Sequence, residues 1–191
     1  VSEAMVRAYN DWHIEDWCGR YPDRFIPMGI LPLWDPTLAA AEVRRLAGRG
    51  CRAVTAPQHI GSYGQPPWQD PHWDPLWEAI CEENTVVNIH IGTGGGLPVP
   101  SDLTTYLAYN SMLPIDTQRF VADLLFSPIV RKFPSIKFSL SEGGIGLIPF
   151  LLERFEDIYS RQRAWTGDDL GDGLSPSDVY RRNFLSCFIR D

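Results

Sequence analysis

Two polar side chains follow apolar runs and precede glycines, and their types suit metal chemistry. His90 closes the apolar part of "VVNIHIGTGGG" at residues 86–96, and Glu142 takes the equivalent place in "KFSLSEGGIG" at residues 137–146. An imidazole and a carboxylate at the ends of strands are typical ligands of a divalent ion such as Zn²⁺. Because a zinc site needs three or four ligands, this pair would supply only part of one.

Three further residues could line a pocket beside this pair. His59 follows another apolar run, and Gly94 and Gly143 would let the backbone approach a metal or a substrate without steric hindrance. Each polar residue also has a structural interpretation. His90 could be a hydrogen-bonded core histidine and His59 a solvated loop residue, whereas a carboxylate at the end of a buried strand is costly unless it is paired or metal-bound.

Apolar runs alternate with helical patterns around these residues. The periodicity predicts five strands, at 25–33, 51–57, 85–91, 136–142 and 183–189. Helices are predicted between them, at 2–19, 35–50, 70–84, 103–132 with an interruption at Pro114, and 144–165. Because the strands read as apolar on both faces, this alternation predicts a parallel sheet covered by helices.

Two α/β architectures have this order of elements. An open doubly wound sheet should carry a glycine-rich phosphate loop after its first strand, and "LPLWDPT" at that place has none. A closed (β/α)₈ barrel needs eight strands and typically about 250 residues. We therefore expect residues 1–191 to form a single domain that is the incomplete middle portion of a (β/α)₈ TIM barrel, truncated at both ends, with about five strands.

Composition and charge exclude several kinds of partner. The net charge of −7 and the pI near 5.0 argue against a nucleic-acid partner held by its phosphates. The sequence has no basic run and no apolar stretch of about 18 residues, which argues against a membrane partner. The four cysteines are far apart without CxxC spacing, which indicates free thiols and a reducing cytoplasm.

Three long segments carry motifs in a distinctive order: "YPDRFIPMGILPLWDPTLAAAEVRRLAGRGCRAV", "DPHWDPLWEAICEENTVVNIHIG" and "VRKFPSIKFSLSEGGIGLIPFLLERFEDIY". Together they resemble the amidohydrolase-related family, which includes aminocarboxymuconate-semialdehyde decarboxylase and the resorcylate-type decarboxylases. The resemblance runs over nearly the whole chain. It implies a (β/α)₈ barrel with one catalytic divalent metal ion, Zn²⁺ or alternatively Mn²⁺.

The resemblance also implies roles for particular residues. The family holds its metal through an H-x-H or related pair on the first strand, histidines on middle strands and an aspartate near the last strand. His90 matches the middle-strand histidine, and Glu142 lies where decarboxylase members commonly have histidine before two glycines. The 191 residues contain no H-x-H, and Asp191 follows the wrong strand to be assigned. His90 and Glu142 are therefore expected to be the metal-binding and catalytic residues of this chain.

The implied activity is metal-dependent hydrolysis of an amide or lactone, or decarboxylation of a small aromatic or unsaturated acid by a carboxy-lyase. With two ligands present, this chain alone is expected to bind zinc poorly and to be inactive. The alternative is a non-catalytic barrel that binds a small molecule or another protein, and the whole protein could be a homo-oligomer. Open strand edges should also expose side chains of the barrel interior, for which Phe184, Leu185 and Ile189 are candidates.

Overall fold

A four-stranded parallel sheet forms the centre of the computed structural model, which describes residues 1–96, 99 and 101–190. The strands are β1 (Ala53–Ala56), β2 (Val86–His90), β3 (Lys137–Ser141) and β4 (Phe184–Ser186). They are adjacent in chain order, β1-β2-β3-β4, without a reversal. A doubly wound sheet reverses its strand order, whereas the wall of a (β/α)₈ barrel does not. The topology is therefore that of a barrel wall.

Helices connect the strands and cover the sheet. The α-helices are α1 (Ser2–Trp12), α2 (Pro36–Ala47), α3 (Asp74–Glu82), α4 (Tyr106–Leu125), α5 (Ile129–Lys132), α6 (Ile148–Thr166) and α7 (Pro176–Asn183). A π-helical turn, His13–Cys18, extends α1. The predicted start of α2 is confirmed, because the Asp35 side chain accepts hydrogen bonds from the backbone N–H groups of Thr37 and Leu38. No helix among the described residues is long and apolar enough to cross a membrane.

The predicted strand at 25–33 is wrong as an extended element. Only Gly29 pairs with the sheet, through an isolated parallel bridge to Val54. Pro27 and Pro32 have no N–H to donate to a sheet ladder, so the paired stretch between them is short. The described residues therefore contain four strands and one bridging residue in place of the five predicted strands.

The two faces of the sheet differ, so the prediction of strands apolar on both faces is also wrong. In-register residues of the buried, helix-covered face are Val54, Val87, Phe138 and Phe184. The opposite face carries the more exposed row Thr55, Asn88, Ser139 and Leu185. Phe184 is 4% exposed and packs under the helices rather than on the barrel interior, whereas Leu185 and Ile189 are exposed.

Helix α4 runs without a break through Pro114, so the predicted interruption at that residue is wrong. Pro114 cannot donate to the carbonyl of Asn110, which removes one bond from the helical ladder without ending it. The C-terminal half of α4 buries a row of apolar residues that includes Phe120, Val121 and Leu124. This packing stabilises the helix beyond the proline, and α4 carries two polar residues of the site described below.

Candidate metal centre and substrate pocket

The structure brings His90 and Glu142 together at the carboxyl end of the sheet. In the β2–β3 register His90 lies beside Ser141, and Glu142 is the next residue. Nε2 of His90 lies 3.6 Å from Oε2 of Glu142, and the two side chains are 52% and 47% exposed. The two residues that the sequence assigns to one metal site are therefore close enough to share it.

A backbone carbonyl sets the orientation of the His90 ring. Nδ1 of His90 lies 2.7 Å from the carbonyl oxygen of Ile91. Because a carbonyl oxygen only accepts hydrogen bonds, Nδ1 carries a proton, and in the neutral ring Nε2 presents its lone pair toward Glu142. A hydrogen bond from one ring nitrogen to a backbone carbonyl is the arrangement that orients histidines bound to metal ions.

The pair fits two ligands of one divalent ion. Metal bonds to imidazole nitrogen and carboxylate oxygen are about 2.0–2.2 Å long, so donors 3.6 Å apart can both reach the same ion. An unprotonated Nε2 and a carboxylate oxygen repel each other unless a proton or a cation lies between them. Within residues 1–96, 99 and 101–190, no group of three or more His, Cys, Asp or Glu side chains could hold a metal ion. Asp191 lies outside the described residues.

Glu142 reaches His90 from a tight turn. Its φ is +57°, a left-handed conformation that costs most residues about 1–2 kcal/mol. The next residue, Gly143, donates its N–H to the carbonyl of Leu140 at 3.1 Å. A β-carbon on Gly143 would lie 3.0 Å from Cγ2 of Thr117. Gly143 thus lets the turn pack closely on helix α4.

His59 turns toward helix α4 rather than toward the sheet. Its Nε2 lies 3.1 Å from Oδ1 of Asp116, and Arg119 donates to the same oxygen at 3.1 Å. Asp116 is buried. His59 lines a polar cavity of about 370 Å³ between its own loop and α4, together with Arg119 and other residues.

Gly94 is buried in the loop that follows His90. A β-carbon there would overlap the Asp116 carboxylate and lie 2.7 Å from Cδ2 of His59. The Gly94 carbonyl accepts a hydrogen bond from Ser62 at 2.8 Å. Gly94 therefore permits close contact between two loops and α4, and this contact is with protein rather than with the larger pocket described next.

A second, apolar cavity opens at the carboxyl end of β1. Its volume is about 470 Å³. The walls include apolar and aromatic residues from β1, its following loop and the segment after Gly29: Ile30, Trp34, Ala56, Pro57, Ile60 and Tyr63. Thr93, from the loop after His90, also lines this cavity. The cavity has the size and the apolar lining of a small-molecule site.

Several polar residues of the site were not identified from the sequence. Gln58 lies on the loop after β1, and Thr93 lies on the loop after β2. Asp116 and Thr117 are buried residues of α4. Asp116 lies four residues before Phe120, and Thr117 four residues before Val121. Polar residues at helical spacing on an apolar face are a signal that could have indicated them.

Known relatives are decarboxylases. The chain is 25% identical over 194 residues to gamma-resorcylate decarboxylase of Rhizobium radiobacter, which covers 96% of this chain and 54% of the relative. It is also 25% identical over 154 residues to a decarboxylase of Emericella nidulans, covering 75% of this chain and 45% of that protein. The chain thus spans about half the length of the relatives it matches.

Solved structures show the same fold. The 5-carboxyvanillate decarboxylase of Sphingomonas paucimobilis superimposes with a TM-score of 0.77 at 24% identity, over 96% of this chain and 54% of that one. A 5-carboxyvanillate decarboxylase of Novosphingobium aromaticivorans with bound manganese superimposes with a TM-score of 0.74 at 20% identity, over 97% and 52%. The fold is therefore that of (β/α)₈-barrel decarboxylases over about half of their length. Since a sequence model of the amidohydrolase family matches residues 1–188, this chain belongs to that family.

Proposed function

We propose that the protein carrying this chain is a metal-dependent decarboxylase of a small carboxylated aromatic acid. The observation that carries the proposal is the pair of His90 and Glu142, 3.6 Å apart at two adjacent strand ends, with the His90 ring oriented by a hydrogen bond from Nδ1 to the carbonyl of Ile91. The similarity to gamma-resorcylate decarboxylase supports decarboxylation and the aromatic substrate class.

His90 and Glu142 would hold one divalent ion, Zn²⁺ or Mn²⁺, with the remaining ligands supplied from outside the described residues. Such an ion supplies positive charge that polarises the oxygens of a bound acid. The hydrogen bond from His90 Nδ1 to Ile91 keeps the ring in the tautomer that can bind the ion. The negative charge of Glu142 balances part of the charge of the ion.

The apolar cavity near Trp34 and Tyr63 would bind the aromatic ring of the substrate. In a decarboxylation the bond between the ring carbon and the carboxylate breaks, carbon dioxide leaves, and the ring carbon takes up a proton. Apolar walls such as Ile60 and Pro57 would contact the ring face. A cavity of about 470 Å³ accommodates a substituted benzoate.

We also propose the kind of partner and the cellular location of the protein. The substrate is a small molecule, and the net charge of −7 disfavours a nucleic-acid partner. We place the protein in the cytoplasm because its cysteines have no disulfide-like spacing.

The test uses the whole protein, loaded with Zn²⁺ or Mn²⁺ and incubated with 2,6-dihydroxybenzoate, 5-carboxyvanillate and related hydroxybenzoates. We expect carbon dioxide release with at least one acid. We also expect His90→Ala and Glu142→Gln to lower both the bound metal and kcat/KM. Hydrolysis of lactones or amides without decarboxylation would make the protein a hydrolase. A folded protein that binds no divalent ion would support the non-catalytic scaffold.

A further inference from the structure

We infer that Asp116 and Thr117, consecutive buried residues of α4, are positioning residues that set the spacing of His90 and Glu142. The inference rests on the proposed function for the purpose of that spacing, namely metal binding. The contacts from which it is argued all lie within this chain. Each of the two residues of α4 contacts a loop that follows one of the strand ends.

Asp116 supports the loop after His90. Its Oδ1 accepts hydrogen bonds from His59 and Arg119, both at 3.1 Å, which fix the carboxylate in place. The other carboxylate oxygen lies against Gly94, so closely that a β-carbon could not be accommodated. Because Gly94 is only four residues after His90, the carboxylate limits where this loop can lie.

Thr117 is joined to the backbone of His90 by three successive hydrogen bonds. Its hydroxyl oxygen accepts from Nε2 of Gln58 at 3.1 Å. The backbone N–H of Gln58 donates to Oγ1 of Thr93 at 3.1 Å. The Thr93 hydroxyl then donates to the carbonyl oxygen of His90 at 2.6 Å. A helix residue is thereby connected to the strand end that carries the imidazole.

The methyl group of Thr117 contacts the other strand end. Cγ2 of Thr117 lies where a β-carbon on Gly143 would approach within 3.0 Å. Gly143 follows Glu142, whose φ of +57° turns its side chain toward His90. The Thr117 side chain therefore contacts the turn after Glu142 directly through its methyl group, and it reaches the loop after His90 through Gln58.

The network runs through a polar residue at a buried position, Gln58. Oε1 of Gln58 is buried without a hydrogen-bond partner among the described residues. A buried unpaired acceptor costs about 1–3 kcal/mol, whereas an apolar residue at this position would avoid that cost. A polar connection with such a cost is expected where orientation matters.

The two functions of Thr117 can be separated by substitution. Thr117→Val keeps the methyl contact and removes the hydroxyl, whereas Thr117→Ser keeps the hydroxyl and removes the methyl. Asp116→Asn removes the charge that holds His59 and Arg119. Asp123→Asn is the matched control, because Asp123 lies on the same helix, is exposed and pairs with Gln69.

Two measurements on the whole protein test the inference. In the metal-free protein, long-range ¹H–¹⁵N NMR of the His90 ring, assigned with His90→Gln, reports which ring nitrogen carries the proton. Chelator competition with Mn²⁺ reports metal affinity. We expect Asp116→Asn and Thr117→Val to increase the fraction of the tautomer protonated on Nε2. All three variants at 116 and 117 should weaken Mn²⁺ binding by about 10–100-fold. Asp123→Asn should change neither measurement.

Unchanged ring spectra and Mn²⁺ affinity in folded Thr117 variants would overturn the inference and leave these residues a packing role, even if their melting temperatures fell. If Asp116→Asn does not fold, the two Thr117 variants still test the inference, because they are smaller changes. If the wild-type protein bound no Mn²⁺, the proposed function would fail, and the His90 spectrum of the metal-free variants would still decide the positioning.

Discussion

Glu142 faces His90 from a left-handed backbone conformation, with a φ of +57° and 3.6 Å between Oε2 and the imidazole Nε2. This conformation costs about 1–2 kcal/mol for a residue with a β-carbon. We expect Glu142→Gly to change the free energy of unfolding by less than about 1 kcal/mol, because relief of strain offsets the greater freedom of glycine in the unfolded chain. The same variant should lose metal binding. Urea unfolding and chelator competition measure the two effects.

Glu142→Gln is the matched variant, because it keeps the strain and the side-chain length and removes only the charge. It should leave the free energy of unfolding nearly unchanged and weaken metal binding by at least about 10-fold. Wild-type metal affinity in both variants would remove Glu142 from the site.

Gly94 should tolerate no side chain. A β-carbon there would overlap the Asp116 carboxylate and crowd the His59 ring, so Gly94→Ala should lower the free energy of unfolding by about 1–3 kcal/mol. Gly61→Ala is the control, since a β-carbon at Gly61 meets nothing within 4 Å. Thermal melting of the two variants compares them. Equal stability of Gly94→Ala and wild type would contradict the close approach of the loop to α4.

The hydrogen bonds around the buried carboxylate of Glu42 predict that the folded protein loses stability in acid. Burial raises the pKa of Glu42, but hydrogen bonds from Arg45 and Asn10 outweigh it and hold that pKa below its ordinary value of 4.5. Because the pKa is lower in the folded state, this contribution to stability is present above the unfolded pKa and is lost as pH falls through the folded pKa. We expect the free energy of unfolding to decrease from about pH 5 downward.

Glu42→Gln should flatten this acid-side decrease and lower stability at pH 7 by about 1–3 kcal/mol, because Arg45 loses its buried charged partner and keeps only the more exposed Asp11 among the described residues. Urea unfolding across the acid range measures both changes. Glu82→Gln serves as the control, since Glu82 and Arg44 form an exposed ion pair, worth about 0–1 kcal/mol. An unchanged acid-side slope in Glu42→Gln would assign the pH dependence to other groups.

Local sequence patterns correctly predicted most strands of the sheet. Apolar periodicity placed a strand within each of the four later segments, and the Asp35–Pro36 pair marked the start of α2. The segment at 25–33 has similar periodicity, but pairing depends on N–H groups that its prolines lack. The polar face was misjudged because Thr55, Asn88 and Ser139 interrupt runs that otherwise look apolar on both sides.

Some residues of the site could be placed from local sequence patterns, whereas others depend on contacts between distant parts of the chain. His90 and Glu142 could be paired from the sequence because the carboxyl ends of neighbouring parallel strands meet at one edge. The contacts of His59 and Gln58 could not, because Asp116 and Thr117 lie 57 and 59 residues further along the chain. Which loop residue meets which helix residue depends on tertiary packing, and hydrophobic periodicity carries no information about it.

Helix α4 contains a proline in its interior, and substitution of this residue measures how much stability the proline costs. Pro114 lies inside the helix, where it removes one backbone hydrogen bond and its ring crowds the carbonyl of Asn110. Pro114→Ala should restore the bond and raise the free energy of unfolding by about 1–3 kcal/mol, as expected from helix propensities. Pro36→Ala is the control, because Pro36 occupies the first turn of α2, where a proline is favourable. It should give no gain in stability. Urea unfolding of both variants measures the difference, and a loss of stability in Pro114→Ala would mean that α4 bends at this residue to fit the buried row that includes Phe120.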